Sequence, residues 1–153
     1  MHLGTLSIAS SAFGHGSRIP VRYTVDGEGV SPPLAWSGVP KGTRELALVC
    51  HDPDAPMTHG FTHWVLYGIP SDAGDLPAAA SGSFTDGVNE TGSPGWVPPS
   101  PPPGHGDHFY YFHLFALDDK LDLQAGLPRA SLLSLIDDHI LEQARIVGVY
   151  SRS

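Results

Sequence analysis

Proline and glycine punctuate this chain so densely that long helices have little room: fifteen prolines and eighteen glycines divide its 153 residues into short pieces. Most pieces are rich in β-branched and aromatic residues, or alternate apolar with polar, which is the pattern of strands bounded by turns. Candidate strands are TLSIASSAF near Thr5, IPVRYT near Val21, ELALVC at 45–50, THWVLYGI at 62–69, HFYYFHLFAL at 108–117, and IVGVYSR near the end. Several are apolar on both faces, as central strands covered by further layers are. One segment differs. In SLLSLIDDHILEQA the apolar residues Leu132, Leu133, Ile136, Ile140, Leu141 and Ala144 recur near a period of 3.6. That spacing predicts one amphipathic helix near 131–145, capped at Ser131. The expectation is a mainly β chain forming a single domain over 1–153, long enough to bury a core without disulfides.

Between the fourth and fifth of these strands runs GVNETGSPGWVPPSPPPGHGD, residues 87–107, without usable periodicity. A loop of that length in a compact domain is either disordered or functional. Its prolines favour stiff, extended backbone, and Trp96 offers an anchor, so an ordered functional loop is expected. The triplet NET at Asn89 matches a glycosylation acceptor and is read as part of that loop.

Sixteen acidic residues against eight basic give a net charge of −8, with the basic residues scattered along the chain. Such a surface releases no counterions from a phosphate backbone, so no nucleic-acid partner is expected, and an anionic membrane surface is disfavoured. No segment reaches the length of a membrane span, so no integral membrane association is expected. The single cysteine, Cys50, forms no internal disulfide and suits a reducing compartment. A cytoplasmic location is favoured, with a periplasmic or secreted one open if a signal peptide has been removed.

Residues able to do chemistry gather in three places. Asp52 and Asp54 follow the strand ELALVC directly, where Pro53 and Pro56 fix φ and remove two backbone donors. In HFYYFHL, His108 and Tyr110 are two apart and share a face, so they can share a ligand. In THWVLY, strict alternation puts His63 on the face of Val65 and Tyr67, opposite Trp64 and Leu66. A carboxylate near an imidazole favours the imidazolium, and His with Tyr offers donors to an anion. Without a nearby arginine or lysine, such a site binds anions weakly and in a pH-sensitive way. The spacings His59/His63 and His105/His108 suit metal only on a helix, and neither segment reads as one, so no metal or other cofactor is expected. The Gly-x-Gly triplets lack the helix and Gly-Lys-Ser/Thr of a phosphate loop, and no Gly-x-Ser-x-Gly elbow occurs. Cys50 reads as a small buried hydrophobe.

DPDAP at 52–56, THW at 62–64, PPPGHGDHFYYFHLFALD from Pro101, VSPPLAWSGVP at 30–40 and HILEQARIVGVYSR near the C-terminus resemble, in order and over nearly the whole chain, the phosphatidylethanolamine-binding protein family. The match is to its bacterial and archaeal, Raf-kinase-inhibitor-like (YbhB/YbcL-type) branch. The resemblance implies an antiparallel β-sandwich with a few short peripheral helices and a small anion pocket at one end. Carried across motif by motif, the ligand-binding residues would be Asp52, Pro56, His63, Pro102, His108 and Tyr110, with Asp54 supporting. It also implies a cis peptide between Ala55 and Pro56. Two departures stand out. Phe109 occupies the place of an arginine that can pair with the second aspartate, which puts the support of Asp54 in doubt, and the loop sequence GWVPPSPPPG differs at the pocket rim.

The function expected is therefore a non-catalytic binding or regulatory protein, with no catalytic residues assigned. Its pocket would take phosphate, a phosphorylated head group or a carboxylate. A protein partner modulated through that pocket, and a homodimer, stay open. The alternative is hydrolysis of a small ester or phosphoester by Asp/His acid–base chemistry, against which the motifs offer no activated nucleophile and no metal.

Overall fold

The computed structural model describes residues 4–80 and 82–153. Its strands are β1 (Ser7–Ala9), β2 (Ser17–Arg18), β3 (Leu34–Ser37), β4 (Glu45–Asp52), β5 (Phe61–Pro70), β6 (Asp75–Leu76), β7 (Thr85–Asp86), β8 (His108–Leu117) and β9 (Ile140–Tyr150), with a single α-helix, α1 (Arg129–Ile136). They form two sheets, β1–β3–β6 and β2–β9–β8–β4–β5–β7. Every pairing is antiparallel except that of the two-residue edge strand β2, which runs parallel to β9.

The alternation of β4 explains why the large sheet lies between two layers. Leu46, Leu48 and Cys50 enter the core shared with Leu34, Trp36 and Leu76 of the small sheet, whereas Ala47 and Val49 pack with Leu132 and Ile136 of α1. β8 divides in the same way, Phe112 and Leu114 to one side and Phe115 and Leu117 to the other. Each fully buried Leu or Phe of this kind contributes roughly 1.5–3 kcal/mol. Cys50 is free and wholly buried, and burial pushes its thiol well up, so it behaves as core.

Three expectations are corrected. The helix predicted near 131–145 ends at Ile136; a 3₁₀ turn at Asp137–His139 follows, and Ile140 begins β9. From Ile140 to Arg145 half-buried and exposed residues alternate, and this stretch pairs with β8 from Leu117↔Ile140 to His113↔Arg145. Ladder formation with a neighbouring strand outweighs local helical spacing here. Ser131 is consequently inside the helix, and Pro128, with φ −73°, occupies the cap. IPVRYT is not a strand: Pro20 supplies no donor, the Tyr23 N–H bonds back to the Pro20 carbonyl at 3.1 Å, and Val21–Tyr23 is a 3₁₀ turn. Among the described residues every peptide bond is trans, Ala55–Pro56 included.

The long loop is ordered by specific bonds. The Asn89 side chain is buried and donates to the Gly95 carbonyl at 2.9 Å, Glu90 accepts from the Thr62 N–H at 3.0 Å, and the Val97 N–H bonds to the His63 carbonyl at 2.9 Å. With its Nδ2 engaged inside the fold, Asn89 has no amide to offer a glycan. Trp96 lies parallel to Phe112 at 6.1 Å between centroids and edge-on to Trp64 at 5.7 Å, which fastens the loop to the core.

Candidate functional site

At the end of β4, β5 and β8 a cavity of about 230 Å³ opens between the DPDAP turn and the proline loop. All six residues expected to bind ligand line it: Asp52, Pro56, His63, Pro102, His108 and Tyr110. Most of its remaining wall is apolar, from Met57, Phe61, Val97, Pro98 and Pro101, and among the described residues no arginine or lysine lines it.

His63 arrives by a route that strict alternation misses. Cys50 pairs with Trp64, but the next pair is His51 with Thr62, so His63 is an extra residue on β5 at a bulge. The bulge leaves Thr62 on the far face, bonded through Oγ1 to His51 Nδ1 at 3.0 Å. It turns His63 toward Tyr110, whose ring it meets edge-on at 5.1 Å. His63 therefore does not share the face of Val65 and Tyr67, which pack under α1.

Hydrogen bonds fix the protonation pattern. His63 Nδ1 lies 2.8 Å from the Val97 carbonyl, which can only accept, so the proton sits on Nδ1 and Nε2 presents a lone pair. Burial lowers the pKa of this imidazole to about 4, so it is neutral near pH 7. Tyr110 is buried, and its hydroxyl is held far above the usual phenol range, first by burial and then by the Asp52 charge; it remains a donor. Asp52 is engaged on both oxygens: Oδ1 accepts the Asp54 N–H at 2.8 Å, and Oδ2 accepts from His108 Nδ1 at 2.6 Å. Both partners of that second contact are almost wholly buried.

Asp54 supports the site through its backbone N–H and is itself an exposed residue. An exposed carboxylate needs no buried cation, so Phe109 in place of arginine leaves no charge stranded; Phe109 is itself exposed. The contact that the sequence did not reveal is His105. Its Nδ1 lies 2.7 Å from His108 Nε2, extending the chain Asp52–His108–His105 from the core to an exposed loop. His105 sits between Gly104 and Gly106, both at positive φ, 75° and 87°, where glycine adopts the turn without strain. The three-residue spacing of the two histidines was visible, but a loop gives no rule for converting it into contact. Among the described residues no group of three or more His, Cys, Asp or Glu is arranged to hold a metal ion.

Comparison with known proteins accords with this geometry. The family model for phosphatidylethanolamine-binding protein matches residues 9–151. A UPF0098 protein of Methanothermobacter thermautotrophicus is 43% identical over 157 residues, covering 96% of this chain and 99% of the relative. A UPF0098 protein of Aquifex aeolicus is 40% identical over 153 residues, covering 96% and 89%. Among solved structures, a phosphatidylethanolamine-binding protein homologue of Chlamydia trachomatis superposes with a TM-score of 0.92 at 34% identity, covering 98% of this chain and 99% of that one. Escherichia coli YbcL, described as a new member of the mammalian family, gives a TM-score of 0.92 at 27% identity, covering 98% and 100%. The two-layer β architecture, the matched length and these relatives together place the chain in the phosphatidylethanolamine-binding protein family, in its bacterial and archaeal branch.

Proposed function

We propose that the chain is a binding protein whose cavity takes a small anion: phosphate, a phosphorylated head group or a carboxylate. The observation that carries this reading is the pair of polar groups left without a hydrogen-bond partner among the described residues, the Tyr110 hydroxyl and His63 Nε2, in one head-group-sized cavity. The hydroxyl donates to a phosphoryl or carboxylate oxygen. The Nε2 lone pair accepts the proton of a P–OH group, so a monoanionic phosphate satisfies both at once. Asp52 orients His108 and keeps a negative charge nearby, which disfavours a dianion. Phosphate esters, whose second ionisation lies near pH 6, should accordingly bind more tightly as pH falls through that range.

Both Asp52 oxygens accept hydrogen bonds that hold it in place, so its part in this reading is to orient His108. A protein partner that presents a phosphorylated or acidic side chain would dock by the same contacts. No helix among the described residues is long and apolar enough to cross a membrane. Calorimetric titration with phosphate, phosphoethanolamine and acetate tests the proposal: binding to wild type, weakened in Tyr110→Phe, supports it, and the absence of heat with all three overturns it.

A further inference from the structure

A second hollow, of about 320 Å³, lies on the other face of the six-stranded sheet, under α1. Its floor follows from strand register: His113 stands between Val49 on β4 and Arg145 on β9, and Phe115 stands opposite Gln143. Leu133 of α1 covers it, and Arg129, the first residue of that helix, closes one end. Three rings line up along β8, Tyr111 on His113 at 6.1 Å and His113 on Phe115 at 6.0 Å, both nearly parallel. The Arg145 guanidinium lies 5.5 Å from the Tyr111 ring.

The unexpected group is Arg129. It is half-buried, yet none of the four ion pairs among the described residues includes it, in a chain with sixteen acidic residues against eight basic. Two carboxylates lie in the neighbourhood and neither pairs with it. Glu90 accepts the Thr62 N–H and reaches Arg129 only through its charge, while Asp137, eight residues further on and about 12 Å along the helix axis, lines the same hollow. The walls around it are mixed, with Phe115, Leu133 and Ile140 beside His113, Gln143 and Asp137, and there the guanidinium offers a planar fork that matches a carboxylate and a flat surface that stacks.

We propose that this hollow is a second ligand site for a small carboxylate with a flat apolar body, the carboxylate held by the Arg129 fork and the body lying between Phe115 and Leu133. His113 borders the carboxylate; burial, Arg145 and Arg129 all depress its pKa, so it serves as a neutral ring rather than a charge. The site is separate from the cavity at Tyr110, which opens on the opposite face of the sheet.

The test is an NMR titration with sodium benzoate near neutral pH, following the His113 ring and Leu133 methyls in wild type, Arg129→Gln, Arg129→Lys and Tyr110→Phe. Saturable shifts at both residues are expected. Affinity should fall about tenfold or more in Arg129→Gln, partly in Arg129→Lys, and not in Tyr110→Phe. Inorganic phosphate, which lacks the apolar body, should shift these signals less at equal concentration. Unmoved His113 and Leu133 signals, or equal benzoate affinity in wild type and the Arg129 variants, would overturn the proposal. Arg129→Lys retains the charge and stem, so it decides the point if the glutamine variant is poorly folded.

Discussion

Replacing His63 by asparagine should make the protein less sensitive to acid, and the size of the effect follows from the site. The imidazole titrates at about 4 in the folded chain against 6.5 for the free group, because burial disfavours its charged form. Between those values the unfolded chain binds the extra proton and the folded chain does not. The stability that neutral His63 allows is therefore complete above pH about 6.5 and is lost progressively as pH falls toward 4. A shift of this size corresponds to about 3 kcal/mol in total, of which 2–3 kcal/mol, roughly, is lost between pH about 7.5 and pH about 4.5. Asparagine places a non-titrating N–H close to the position of Nδ1, so the bond to the Val97 carbonyl has a replacement donor. Urea unfolding of both proteins at the two pH values gives the difference directly. His51 and His113 also titrate low, but they are common to both proteins and cancel. A wild-type-minus-variant difference that stays flat with pH would refute the reasoning, as would an imidazole midpoint above 6 for His63 by NMR.

Asp52→Asn should cost about 1.5–3 kcal/mol in the same assay, because it removes the charged acceptor of the 2.6 Å bond to His108, and should flatten the pH dependence of phosphate binding by removing the charge that disfavours the dianion. His105→Ala, at an exposed loop position, should change stability by no more than about 0.5 kcal/mol, while freeing His108 Nε2 and strengthening phosphate binding by calorimetry. Gly60→Ala should destabilise by more than about 1 kcal/mol, since φ is +71° and an added Cβ would collide with the Asp52 carbonyl oxygen. Asn89→Ala should cost about 1–3 kcal/mol in thermal or chemical melts by leaving the Gly95 carbonyl unpaired, and expression in a glycosylating host should leave wild-type Asn89 unmodified.

How far the sequence foretold the molecule depends on which forces act locally. HFYYFHLFAL was legible residue for residue as β8, because ten strand-forming residues bounded by a loop leave few alternatives. The six cavity residues were legible through motif resemblance. The pairing partner of residues 140–145 was not: helical spacing is a local signal, and only the presence of β8 alongside turns that stretch into a strand. Alternation likewise misplaced His63, because a bulge depends on the register of two strands far apart in sequence. The His105–His108 contact belongs to a loop folded back by its glycines, for which residue spacing carries no periodic rule.

Binding at the Tyr110 cavity is the claim on which the functional account turns, and one titration addresses it most directly. Phosphate added to ¹⁵N-labelled protein near pH 6 should move the His63 and His108 ring signals and the Tyr110 resonances along one saturable curve, with Tyr110→Phe weakening it. Ring signals of His63, His108 and Tyr110 that stay in place at saturating phosphate would contradict the account.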